Sequence, residues 1–241
     1  MEQYSLDEEN RKKHSRRKVL WSNIVNIMDT VREHEPVTIN NLNKEYRDDI
    51  FAILSNADLK IQQIFLKYSD EIVFINENAI GRGVTKQTGI RLNWKNDKVN
   101  KRGEYTTTFH EIGHSIDRAA GGLSYKTLDF KEALKKDFDN LVKAYTESYN
   151  VSMQVAYAEI GEALQEEKYH AVSDIISGIT RNKCHGKYVH TNEYWNRKYK
   201  LEKETFAHFY EAYARNDIDK IKILSETFPN AVKEFMKLLE V

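Results

Sequence analysis

The chain has one cysteine, Cys184, and only two prolines, Pro36 and Pro229, among its 241 residues. A lone cysteine excludes an internal disulfide and matches a reducing compartment. No apolar run approaches the ~18 residues that span a bilayer. The first ten residues, MEQYSLDEEN, lack the basic-then-apolar order of a secretory signal peptide. Charge of one sign is not in excess either. Lys plus Arg (37) balances Asp plus Glu (37), so no overall field draws the protein to nucleic acid or to an anionic membrane. The expectation is a cytoplasmic protein with no membrane partner. The basic run Arg11-Lys12-Lys13-His14-Ser15-Arg16-Arg17-Lys18 is the one hint of a nucleic-acid partner. It reads first as a solvated helix start, and secondly as a contact for a phosphate-rich or protein partner.

What is present is a composition of 40% hydrophobic and 31% charged residues, which with so little proline favours a mostly helical fold. Val19, Leu20, Ile24, Ile27, Met28 and Val31 recur at helical spacing over 16–34, ending before Pro36. Helical pattern resumes over 42–68, with a break near Ser55-Asn56. Glu71–Asn76 and Gly89–Trp94 are β-rich, with Gly81, Gly83 and Gly89 as turn punctuation, so a small sheet is expected. Beyond Gly121-Gly122 the pattern is helical over 127–149, 153–166, 168–181, 203–215 and 217–240, interrupted by a loop at 182–190. No repeat or linker divides the chain. The fold class expected is α+β, predominantly helical, in one domain.

The segment Thr106 to Asp117, TTTFHEIGHSID, carries two histidines four residues apart. At about 100° per residue, His110, His114 and Asp117 fall within about 60° on one helix face, while Phe109, Ile112, Ile116, Ala119 and Ala120 lie opposite. The cap is expected at one of Thr106 to Thr108 and the stop at Gly121-Gly122. Imidazoles at i and i+4 can reach one zinc ion at ~2.0 to 2.1 Å. Glu111, about 100° around from His110, stands beside that face, where a general base belongs. The other reading is a capped surface helix with two solvated histidines.

A catalytic zinc usually has three protein ligands. Asp117 lies about 10 Å of helix rise from His110, too far to share the ion easily, and reads as a partner that orients His114 or pins a neighbouring element. The longer pattern that ends in Gly-x-x-His would need glycine and histidine where the chain has Asp117 and Ala120. The third ligand must come from elsewhere. On a helix over 204–215, Glu204, His208, Glu211 and Arg215 share a polar line opposite Phe206, Phe209, Tyr210 and Tyr213. Glu204 is the preferred ligand, Glu211 the reserve, and a solvated stripe the alternative. A further line, His170, Asp174 and Ser177, reads as a surface or supporting network rather than a ligand set.

The motif His110-Glu111-Ile112-Gly113-His114 together with Glu204-Thr205-Phe206-Ala207 resembles the zincin metallopeptidases whose third ligand is Glu, in particular the anthrax lethal factor-like peptidases. The succession Ser173-Asp174-Ile175, a loop with His190 and Tyr194-Trp195, and then Glu204-Thr205-Phe206-Ala207 is also similar to zincin-like domains of phage minor head and head-morphogenesis proteins. That pattern has glycine before the histidine, where this chain has Val189.

The resemblance covers about residues 70–215 and implies a zincin-like fold there; residues 1–70 resemble no family. With no linker in the chain, a single zincin-like domain over 1–241 is expected, made of an N-terminal helical lobe (1–70), a metallopeptidase core (71–215) with a small sheet packed on the motif helix, and a C-terminal helix (216–241). The resemblance implies Zn2+ as cofactor, a protein or peptide substrate, His110, His114 and Glu204 as ligands, Glu111 as base, and His190 or Tyr194 as the oxyanion's donor. The edge strand that pairs with substrate would be Gly89 to Trp94. The alternative is a catalytically silent zincin-fold structural or interaction protein of a phage or mobile element, located in the virion or host cell with a phage structural partner.

Overall fold

The computed structural model describes residues 36–79, 83–86 and 88–240. The helix expected over 16–34 and the basic run at 11–18 lie outside them. The strands are β1 (Val37–Thr38), β2 (Val73–Asn76), β3 (Val84–Lys86) and β4 (Gly89–Arg91). The helices are α1 (Lys44–Leu54), α2 (Leu59–Tyr68), α3 (Trp94–Lys98), α4 (Thr106–Ala119), α5 (Asp129–Tyr149), α6 (Met153–Ala163), α7 (His170–Thr180), α8 (Asn192–Trp195), α9 (Lys200–Ala214), α10 (Ile218–Thr227) and α11 (Pro229–Leu238). The fold is therefore mostly helical with a small mixed sheet.

The four strands run in the order β1-β2-β4-β3. β1 pairs antiparallel with β2, with Val37 opposite Phe74. β2 pairs parallel with β4, Phe74 opposite Ile90. β3 pairs antiparallel with β4, Thr85 opposite Ile90. Two sequence expectations change here. The segment 89–94 is not an edge, because Val84–Lys86, read as turn, adds a strand outside it. The strand also ends at Arg91: Asn93 caps α3 by accepting from Asn96 N, and Trp94 turns inward to stack on Tyr46 at 5.5 Å.

One buried cluster runs from Ile39 through Phe65, Phe109, Phe209 and Phe235 to Leu239. The described part of the expected N-terminal lobe is thus continuous with the core: β1 joins the sheet, and Tyr46 of α1 packs on Phe74, Trp94 and Tyr105. The break near Ser55-Asn56 separates α1 from α2, with Asp58 accepting from Lys60 N at the second helix's start. The single C-terminal helix expected over 216–241 is instead two. Pro229 has no N–H to give and bars helical geometry at Phe228 (φ −129°, ψ 57°), so α10 stops and α11 begins at the proline. Asp137 of α5 anchors the new start by accepting from Asn230 N and Ala231 N, each at 2.9 Å.

Candidate metal centre

Helix α4 forms the centre of the molecule because one of its faces is wholly apolar: Phe109, Ile112 and Ile116 have no exposed surface. Its start differs from the expected threonine cap. Tyr105, in the left-handed region at φ 56°, precedes the first turn and offers no side-chain cap. The cap comes from α3. The buried Asp97 carboxylate accepts from Thr107 N (3.0 Å), Thr108 N (2.7 Å) and Thr108 Oγ1 (2.8 Å). A carboxylate suits the partial positive charge of a helix N-terminus, and nothing in the local sequence marks Asp97 for the role. The expected stop holds: Gly121 and Gly122 take φ of +76° and +86° just past the helix end.

Helix α9 crosses α4 at Gly113. A Cβ on that glycine would lie 3.0 Å from Ala207 Cα and 3.1 Å from Tyr210 Cβ, so any side chain there would push the two helices apart by a few tenths of an ångström. Ala207 is one turn beyond Glu204, and the crossing therefore sets the Glu204 side chain over the two histidines. Glu204 Oε2 is 3.3 Å from His110 Nε2 and 3.4 Å from His114 Nε2. The three donor atoms form a group that could hold a metal ion. Glu204 is 3% exposed, so its charge needs partners inside the protein. Attraction to His114 and His110 outweighs burial and holds its carboxyl well below the usual range. Burial lowers the His110 imidazole, whereas at His114 attraction to Glu204 overcomes burial and raises it.

The other oxygen of Glu204 accepts from the Tyr194 hydroxyl, which in turn accepts from Lys200 Nζ at 2.9 Å. Burial and the Glu204 charge push the Tyr194 phenol up. Tyr194 stacks on His190 with ring centroids 4.0 Å apart. His190 in turn holds Asp174 Oδ1 through Nδ1 at 2.8 Å. Both loop residues singled out in the sequence thus reach the cluster. Their neighbours do not: His185 contacts its own Gly186 O, and the Tyr188 hydroxyl donates to Glu167.

Asp174 also meets His208 Nε2 at 3.2 Å, and His208 Nδ1 lies 3.8 Å from Glu211. Burial lowers His208, but the hydrogen bond to Asp174 and attraction to the Glu211 carboxylate win and raise it to about 9. Its ring sits 4.6 Å from that of His110. Of the two readings of the line His170, Asp174 and Ser177, surface or supporting network, the supporting one fits: Asp174 and Ser177 are buried, and Asp174 ties α7, α9 and the 182–190 loop together. The reserve ligand Glu211 lies apart from the His110–His114–Glu204 group. Its carboxylate takes Lys220 Nζ at 2.5 Å and Arg215 at 3.5 Å, although it can also group with His110 and His208. Asp117 accepts from Ser124 N (2.7 Å) and Ser124 Oγ (3.0 Å), which pins the turn after α4; it makes no hydrogen bond to His114.

Glu111 is 6% exposed, and its carboxylate makes no hydrogen bond or ion pair among the described residues. Its backbone carbonyl accepts from Thr85 Oγ1 at 3.0 Å, and Arg118 of α4 donates to Lys86 O, so β3 is fastened alongside the motif helix. A cavity of about 560 Å³ opens at His110, Glu111 and Glu204 and extends past Thr107 toward Arg102 and His170. Lys200 and Arg102 were not singled out in the sequence. Lys200 sits one turn before Glu204, a spacing that could have flagged it; Arg102 lies in a loop, and no periodicity points to it.

No helix among the described residues is long and apolar enough to cross a membrane. No protein-family model matches the chain, and neither a curated protein nor a solved structure does.

Proposed function

We propose that the chain is a zinc-dependent endopeptidase. One observation carries the reading: the separations among the Glu204, His110 and His114 donors. Four ligands placed tetrahedrally at ~2.0 to 2.1 Å from zinc stand about 3.3 to 3.4 Å apart. The carboxylate oxygen lies 3.3 and 3.4 Å from the two imidazole nitrogens. Two of the three separations in this N, N, O set thus match tetrahedral zinc, all three donors lie within 4.8 Å of one another, and Glu111 stands beside them with a carboxylate that nothing else engages among the described residues.

Zinc, when bound, polarises a scissile carbonyl and makes a neighbouring water acidic enough to lose a proton near neutrality. Glu111 takes that proton and later delivers it to the leaving amine. His190 has its Nδ1 occupied by Asp174, so Nε2 is the ring nitrogen left to face the oxyanion that forms on the carbonyl. Tyr194 donates to Glu204, and this fixes the ligand's orientation in the way that outer hydrogen bonds orient metal ligands. β3, beyond which no strand pairs among the described residues, is the edge that would hydrogen-bond an extended substrate's main chain.

The test is metal analysis and proteolysis of the wild type and of Glu111→Gln. The expected outcome is about one zinc per chain in both, cleavage of a denatured protein by the wild type, and a rate loss of about 100-fold or more in the variant. Zinc-free wild type refutes the proposal. Zinc without cleavage would transfer the chain to the silent structural role.

A further inference from the structure

The cavity beside the cluster carries an unbalanced positive end, and its charges can be followed one by one. Asp97 is saturated by the α4 amides and by Asn100 Nδ2 at 2.9 Å. Glu167 takes the Tyr188 hydroxyl and Lys187, the latter at 3.5 Å. Asp174 is shared between His190 and His208. Glu111 and Glu204 belong to the reaction centre. Lys101 and Arg102 face the same space, and among the described residues no carboxylate lies within ion-pair distance of either.

Arg102 is held in place without being neutralised. Its Nη1 lies 2.9 Å from His170 Nε2 and its Nη2 3.5 Å from Thr107 Oγ1. His170 is half-buried, and desolvation with repulsion from His208 and Arg102 lowers its pKa to about 2, so the ring is a neutral acceptor. Thr107 is three residues, or about 4.5 Å of helix rise, before His110. A guanidinium oriented by two neutral groups, one of them on the helix turn before His110, retains both its charge and spare N–H donors for a planar anion.

We infer that this end of the cavity is a carboxylate-binding subsite, with Arg102 as the specificity-determining residue and Lys101 beside it. It would hold an acidic side chain, or a terminal carboxylate, of the substrate residue next to the scissile bond. The inference rests on the peptidase reading for its account of the substrate, but the binding it describes can be measured without turnover.

The experiment uses the full chain carrying Glu111→Gln, loaded with zinc, and titration calorimetry with pooled hexapeptides of mixed sequence. One pool, acetylated and amidated, has a fixed internal Glu. A second is identical except for Gln there. A third lacks acidic residues but ends in a free carboxylate. The Glu pool, the free-terminus pool or both should bind about 10- to 100-fold tighter than the Gln pool, the range expected for a hydrogen bond to a charged group. Which of the two binds identifies the carboxylate's source. Arg102→Gln should abolish the difference and Arg102→Lys retain part of it. Arg102→Glu should reverse the preference toward a matching Lys pool.

Equal binding of all pools overturns the subsite, as does a preference that survives both Arg102→Gln and Arg102→Glu. If the otherwise wild-type protein cleaves none of the pools while the binding preference holds, the peptidase reading falls and the subsite stands. Cleavage with no preference does the opposite.

Discussion

Replacing Asp97 should loosen the motif helix at its root, and the structure gives the size of the effect. Its carboxylate accepts four hydrogen bonds: from Thr107 N, Thr108 N, Thr108 Oγ1 and Asn100 Nδ2, all between 2.7 and 3.0 Å. Loss of an ordinary helix cap costs about 1 kcal/mol, up to about 2. Here the side chain is 5% exposed, and Thr108, one of the groups left behind, has no exposed surface. Each buried donor left without a partner adds about 1 to 3 kcal/mol, and such terms are not additive. Asp97→Ala should therefore cost about 3 to 5 kcal/mol. At about 2 to 4 °C per kcal/mol for a chain of this size, Tm falls by about 6 to 20 °C. Asp97→Asn keeps one acceptor oxygen and should lose roughly half as much. The assay is thermal unfolding followed by circular dichroism, with a chelator present so that metal binding does not contribute. A second run in zinc should show weaker metal retention by the Ala variant, since the last residue that Asp97 holds, Thr108, is two residues before His110. An Ala variant that melts within about 2 °C of wild type would refute the reasoning, because the helix start would then not depend on Asp97.

Two further substitutions probe the crossing of the helices and the ligand's orientation. Tyr194→Phe removes the donor to Glu204 and leaves the ring stacked on His190; zinc affinity measured by chelator competition should fall by about 10- to 100-fold with little change in Tm, and unchanged affinity would deny Tyr194 its positioning role. Gly113→Val places a side chain where Cβ alone would meet Ala207 Cα at 3.0 Å, so the helices must part at a cost of about 1 to 3 kcal/mol, and both Tm and zinc content should drop. Retention of both would mean that the close approach is not what seats Glu204.

Much of the fold was legible because its signals are local. The periodicity of Phe109, Ile112 and Ile116 locates α4 and its buried face, and the glycine pair after Ala120 locates its end. The aromatic face of the 204–215 segment locates α9, although the helix starts earlier, at Lys200, after Tyr199 in the left-handed region. The short elements were not legible. β1 and β3 are two and three residues long, too short for an alternating pattern, and they exist because a neighbouring strand supplies hydrogen bonds. The sequence leaves His170, Asp174 and Ser177 between a surface and a supporting network for a related reason: a polar stripe on a helix looks the same whether it faces water or other polar groups in the interior.

The sequence by itself determined that His110 and His114 share a face with Glu111 beside it, because helix geometry is set by the chain's own backbone and the spacing of four residues is enough. Tertiary structure alone decided that Glu204, ninety-four residues after His110, meets both imidazoles, while Glu211, seven residues further on, is taken by Lys220 and Arg215. It also decided that Asp97 rather than a threonine caps the motif helix, and that Arg102 stands unneutralised in the cavity. These are contacts between segments far apart in sequence. They depend on where two helices can approach at Gly113 and Ala207, and no local period records that.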